Sequence, residues 1–363
     1  MNQEPLSSIE LPSDLDPLCA RLDVLCPSLQ SVTDWPGPQI RLLAEAGVLT
    51  WGLPAEFGGH PATDVQSMAT YEKLAAACLT TTFVLTQRNA ACQRIAASAN
   101  FEIKSELLPP LCRGEAFATV GISHLTTSRQ HVAKPAVSAV EAGDDFVLEG
   151  TVPWVTGAGA AGHIVTGGTL VDGRQVLMAV PTTLAGVHRQ EPMRLLALSA
   201  SQTATLVLDK VRVPRRNLLF GPIEQVMKYG GGGAGSLTTS VLAVGLTTSI
   251  LSRFRAEANR RPELMPILQA LESEHRGARS ELYRAAESEN AAAPTAESVR
   301  QKANSLVLRA AQAYLAASKG AGFVSGHPAE RAVREAMFFL VWSCPAPVVS
   351  AALREFACAI DVG

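Results

Sequence analysis

Hydrophobic periodicity changes twice along this chain, and that double change restricts the fold more than any single motif. Up to residue 115 apolar residues recur at helical spacing. From 116 to 221 they gather into short β-branched runs separated by Gly, Asp and Pro, and beyond Pro222 helical spacing returns and stays. The pattern predicts an α+β protein with an N-terminal α-helical domain over 1–115, a middle antiparallel β-barrel or sandwich domain over 116–221, and a C-terminal four-helix-type bundle over 222–363.

Finer boundaries follow from local punctuation. Helices are expected over 15–25, over 40–47 with Gly47 closing the helix, after Thr63-Asp64 through Met68, Tyr71 and Leu74, and over 82–95 and 101–111. Strands are expected over 132–140, 146–148, 164–171, 176–180 and 205–213, with turns at Asp144-Asp145 and Asp172-Gly173. The later helices are expected over 237–258, 265–286, 296–317 and 328–342, and their Ala-rich faces allow close approach.

Composition excludes several classes. At 363 residues, 47% hydrophobic and 18% charged, the chain has enough apolar surface for a sizeable core and is not a disordered polyelectrolyte. A formal net charge of −2 provides no broad basic field, so a nucleic-acid partner is not expected. There is no apolar run of roughly 18 residues, and the first residues lack the basic and apolar regions of a secretory signal; no membrane span is expected, and the expected location is cytoplasmic. Seven cysteines without a Cys-x-x-Cys pair and seven dispersed histidines predict neither a disulfide framework nor a metal site.

The stretch 146–158, FVLEGTVPWVTGA, carries the first functional suggestion. Pro153 has no N–H to give to a ladder, which predicts that Trp154 begins a strand. Its indole, the Thr156 hydroxyl and the following N–H groups form either a polar-edged aromatic platform or a core Trp beside a tight turn. Gln87-Arg88-Asn89 interrupts an apolar helix and calls for either a pocket or hydrogen-bonded partners. Gly230-Gly-Gly-Gly-Ala-Gly235 lacks the Lys-Ser/Thr of a phosphate-binding loop and reads either as a flexible or close-packed helix start or as a turn whose free N–H groups meet an anion.

Taken in order, these segments resemble the acyl-CoA dehydrogenase family along nearly the full chain. Trp154-Val-Thr156 is similar to the family's Trp-Ile/Val-Thr segment, 209–219 to its strand exit into the last domain, and Gly320-Ala-Gly-Phe323 with Glu330-Arg-Ala-Val-Arg-Glu-Ala336 to its Gly-rich turn and following helix. The resemblance implies FAD between the β-domain and the bundle, a homodimer or homotetramer that shares its cofactor sites, a small-molecule acyl substrate such as a CoA thioester, and an electron acceptor that the residues do not identify. Carried over by position, the cofactor contacts are Val120, Gly121, Ile122, Ser128, Trp154, Thr156, Lys319, Gly320 and Pro345.

Departures from the family pattern are as informative as the matches. Ser343 stands where the family's usual catalytic Glu would be, and a serine hydroxyl is too weak a base for that task unaided. The alternative Glu position falls on Gly235, and the substrate-contacting Asp and Arg positions fall on Gly233 and Ser236. Ile122 replaces a flavin-contacting Thr, Ala316 an adenosine-contacting Gln, and Lys319 the first Gly of the turn; Arg260 or Arg261 is the candidate for a pyrophosphate-binding Arg. Lys319 reads either as a phosphate partner or as a solvated helix-end lysine, and His124 as a proton donor or a loop histidine. Cys344 reads as a buried structural thiol, and Glu330 with Arg334 as an i,i+4 ion pair. The expected activity is α,β-desaturation of an acyl thioester with a non-standard base. The alternatives are flavin-dependent monooxygenation on the same fold, or a member without catalysis.

Overall fold

The computed structural model describes residues 14–125, 135–230, 237–287 and 293–358. Among the described residues five helices come first: α1 (Asp16–Leu25), α2 (Gly37–Glu45), α3 (Asp64–Ala77), α4 (Leu79–Ala97) and α5 (Phe101–Cys112). Local chemistry sets their ends. Gly47 takes a left-handed φ of 73° after α2, and Thr63 with Gln66 forms a reciprocal capping box at the start of α3. Helix α4 is buried on nearly every side, touching the C-terminal helices through Leu79 and Phe83 and the sheet side through Ala91, Cys92 and Ile95.

Most of its polar turn is satisfied internally. Arg88 donates to the carbonyl of Leu49 at 2.9 Å and to Asn89 Oδ1 at 2.8 Å, while Asn89 Nδ2 donates to the Tyr71 hydroxyl at 2.8 Å. Partners inside the core therefore account for Arg88 Nη1 and the Asn89 amide, whereas the buried Arg88 Nε has no hydrogen-bond partner among the described residues.

The strands are β1 (Ala118–Val120), β2 (Val137–Ala142), β3 (Asp145–Val155), β4 (His163–Thr169), β5 (Gln175–Pro181), β6 (Val187–Arg189), β7 (Ala204–Pro214) and β8 (Leu218–Ile223). They form one 8-stranded sheet in the order β6-β7-β3-β2-β4-β5-β8, with β1 added beside β4. The expected barrel or sandwich thus takes the form of an open path, and it is mixed in sense: β1 and β2 each run parallel to β4. Strands β4 and β5 are buried on both faces. Val165, Leu177 and Ala179 meet α4 and α5, whereas Ile164, Val176, Met178 and Val180 meet Phe146, Leu148 and Leu206 of the β3–β7 half. That two-sided burial explains why 176–180 reads as an unbroken apolar run.

The remaining helices are α6 (Thr238–Arg260), α7 (Met265–Glu287), α8 (Ala296–Gly322), α9 (Pro328–Val341) and α10 (Ala346–Phe356). The last was not expected from periodicity. Helices α3 and α4 join this bundle in a common core, with Met68, Ala69 and Phe83 packed among Val244, Leu306 and Phe339. Gly245 permits the α3–α6 contact, because a Cβ there would stand 2.4 Å from the Glu72 carbonyl oxygen. No described helix is long and apolar enough to cross a membrane.

Candidate active site

Trp154 lies near the end of β3, correcting the expectation that it begins a strand. Pro153 cannot donate to β7, and the pairing shifts between Val152↔Leu206 and Val155↔Ala204, leaving one extra residue on β3. Trp154 takes φ 60° within this bulge and its side remains 46% exposed. For a bulky residue the left-handed region is strained, and such strain persists where the surroundings over-determine it.

Thr156 turns the other way. It is buried, and its Oγ1 lies 3.0 Å from Thr203 Oγ1, which is 2.9 Å from Ser201 Oγ. This chain of hydroxyls connects the bulge to the short turn Ser199–Ser201. Leu198, immediately before that turn, packs into the helical core with Phe83.

The exit of β1 abuts the bulge. A Cβ on Gly121 would stand 2.6 Å from Val152 Cγ1 and 3.0 Å from Val155 Cγ2, so the residue type allows the approach. Both polar backbone groups of Gly121 are engaged: its N–H donates to the Val165 carbonyl at 2.9 Å, and its carbonyl accepts from Thr166 Oγ1 at 2.6 Å. Ile122 accepts from Leu125 N–H at 3.0 Å, and Ser123 Oγ donates to the Pro153 carbonyl at 3.2 Å. His124 is buried with Nε2 2.9 Å from the Gly167 carbonyl; because a carbonyl only accepts, Nε2 carries the proton. The segment from Val120 to His124 and the segment from Pro153 to Thr156 are therefore neighbours.

A second group surrounds the turn between α9 and α10. Ser343 is exposed at φ 43°, Cys344 is half-buried with its thiol pushed up by burial, and Pro345 caps α10. From α8, Arg300 donates through Nη2 to the Trp342 carbonyl at 2.9 Å and through Nε to Asn304 Oδ1 at 3.0 Å. Asn304 in turn donates to the Phe339 carbonyl at 2.8 Å. These two side chains satisfy carbonyls at the end of α9, where intrahelical donors run out. Burial holds the Arg300 guanidinium down to about 10. Trp342 stacks on Phe338 with centroids 5.5 Å apart and meets Phe83 edge-on at 4.6 Å. Arg300 and Asn304 escaped the sequence reading; their i,i+4 spacing in an Ala-rich helix was the available signal.

The third group is at the far end of α8. Lys319 has φ 53° and ψ −150°, a break inside the helix, and it and Gly320 are exposed. Arg261 donates to the nearby Ala317 carbonyl and to Glu257, which Arg260 also contacts. Ala316 is exposed. At a rise of 1.5 Å per residue, Lys319 lies about 28 Å along α8 from Arg300, so the Lys319–Gly320 and 343–345 groups do not converge within one chain. Glu330 and Arg334 form the expected ion pair, Arg334 Nη2 to Glu330 Oε2 at 3.1 Å. Ser128, Gly233, Gly235 and Ser236 lie outside the described residues.

Residues 29–115 match the acyl-CoA dehydrogenase N-terminal domain. A probable acyl-CoA dehydrogenase of Bacillus subtilis, YngJ, is 26% identical over 243 residues, covering 63% of this chain and 62% of that protein. The mitochondrial short-chain specific acyl-CoA dehydrogenase of Mus musculus is 25% identical over 195 residues, covering 52% of this chain and 47% of its own length. The matched stretch thus spans about half to three-fifths of these curated relatives. A glutaryl-coenzyme A dehydrogenase solved with glutaryl-CoA superposes with a TM-score of 0.78 at 20% identity, covering 96% of this chain and 97% of that one; at such identity the likeness is one of fold.

Proposed function

Because the chain belongs to the acyl-CoA dehydrogenase family, we propose that it is an FAD-dependent oxidoreductase acting on an acyl thioester or a related acyl chain. One observation carries the reading: a half-exposed indole in a left-handed bulge, flanked by the β1 exit and backed by a buried hydroxyl chain. These residues fit the ring end of a flavin. Trp154 offers an aromatic edge, Thr156 a hydroxyl fixed by Thr203, and the segment from Val120 to Ile122 a wall. When bound, FAD would supply the hydride acceptor.

The nucleotide end would be met by Lys319 and Gly320. Their separation from the α9–α10 turn supports a homodimer or homotetramer in which two protomers contribute to one cofactor. At that turn Ser343 has no side chain able to take a substrate proton, so desaturation requires a base elsewhere. Arg300 and Asn304 set the position of the turn, and Phe83, Phe338 and Trp342 form an apolar wall that excludes water.

The missing carboxylate at 343 also favours a second reading, flavin-dependent oxygen chemistry, which needs no substrate deprotonation. Absorption spectra before and after acid release, followed by anaerobic titration with a panel of acyl-CoAs, test the first reading: yellow protein whose flavin bleaches is expected. Yellow protein that resists bleaching but consumes oxygen with substrate and an external flavin reductase would replace it with the second. Colourless, folded protein that gains no thermal stability from FAD would overturn both.

A further inference from the structure

We propose that Cys26 and Cys78 form a dithiol that a hydroperoxide oxidises to a disulfide, a modification site separate from the flavin crevice. Distant in sequence, the two residues converge where α1 ends and where α3 passes into α4: Cys26 caps the C-terminus of α1 and Cys78 is the single residue between the other two helices. Both are buried in one apolar cluster with Leu22 and Leu74. Their thiols share a hydrogen bond, and Cys78 Sγ lies 3.2 Å from Thr81 Oγ1.

The pair is reached through a cleft of about 20 Å³ that both cysteines line. The cleft is open to solvent on one side, so a small hydroperoxide can approach it from outside. Half-buried Ser249, Arg253 and Arg331 stand around the cleft, and the buried Glu335 carboxyl also lines it. Arg253 is tied to Asp23 at 2.5 Å. The Cys26 hydrogen bond and the Thr81 hydroxyl hold the Cys78 thiol below its ordinary range, whereas the bond it gives and burial push the Cys26 thiol up. One sulfur is thus prepared as the attacking thiolate and the other as the resolving thiol.

The chemistry balances. The Cys78 thiol gives its proton to solvent, its thiolate attacks one peroxide oxygen, the O–O bond breaks, and the hydroxide released takes back from solvent the proton that Cys78 gave, leaving a sulfenic acid and one water. Cys26 sulfur then attacks Cys78 sulfur, the S–O bond breaks, and the departing hydroxide takes the Cys26 proton. Two thiols and one hydrogen peroxide become one disulfide and two waters; the sulfurs lose the two electrons that the peroxide gains.

The full-length protein treated with hydrogen peroxide, alkylated in denaturant and mapped by peptide mass spectrometry provides the test. A Cys26–Cys78 linked peptide is expected, together with the loss of two free thiols that a thiol reductant restores. In Cys26→Ser, dimedone should trap a sulfenic acid at Cys78; in Cys78→Ser, none should appear at Cys26. If Cys26 and Cys78 stay alkylatable in the wild-type chain while the exposed Cys358 oxidises, the proposal fails. The wild-type map decides even if a variant does not fold, and it reads thiols regardless of whether flavin is bound.

Discussion

Replacing Lys319 by glycine should stabilise the protein. At φ 53° and ψ −150° this lysine occupies backbone space that is nearly closed to a residue with a Cβ. Such a conformation costs about 1–3 kcal/mol. Glycine would relieve it and return about 0.4–1 kcal/mol through the greater freedom of the unfolded chain. Because the side chain is exposed, little packing is lost, and the net gain should be about 1 kcal/mol. Urea unfolding should therefore show a higher midpoint at an unchanged slope. Lys319→Ala is the control: it removes the ammonium and retains the Cβ, so its midpoint should stay at the wild-type value. Equal stabilities for the glycine and alanine variants, or a lower midpoint for glycine, would refute the strain argument. The same pair examines the phosphate role, since both variants should then lose part of the thermal shift produced by FAD.

Other perturbations test the packing and the turn. Gly245→Ala would drive a methyl to 2.4 Å from the Glu72 carbonyl and 2.9 Å from Ala75 Cβ, separating α3 from α6, and should lower urea stability by about 1–3 kcal/mol. Arg300→Met should strand the Trp342 carbonyl and the Asn304 amide oxygen, lowering stability by about 1–3 kcal/mol; Arg300→Lys should not restore it, because an ammonium lacks the fork that reaches both acceptors. Burial holds the imidazoles of His163 and His275 below their ordinary value of 6.5, so the unfolded chain binds these protons first. Their contribution is complete above 6.5 and is lost as pH falls through the native values. The His163→Gln, His275→Gln double variant should accordingly show a shallower loss of urea stability below 6.5 than the wild type.

Periodicity located most helices and strands because each buries one stripe or face, and that alternation is written residue by residue. It missed α10, a short helix with only Val348 buried, which has little inward stripe to read. It also divided β3 at Gly150, although the strand runs on to Val155. There β7 absorbs the irregularity with its own extra residue, Lys210, at φ 49°, and the partner strand rather than the local sequence decides that the ladder continues. The Trp154 placement failed for the same reason: Pro153 does interrupt pairing, but β7 accommodates it as a bulge near the strand's end.

Residue identity alone determined the α-β-α order, the serine at position 343 and the presence of an indole and hydroxyl two positions apart, because these depend on side-chain type and local spacing. Tertiary structure decided that Trp154 faces outward while Thr156 faces Thr203, that Arg300 reaches the turn beside Ser343, and that Cys26 meets Cys78. Each of these relations joins elements distant along the chain, and only packing the helices against one another and the sheet against itself brings such partners within bonding distance.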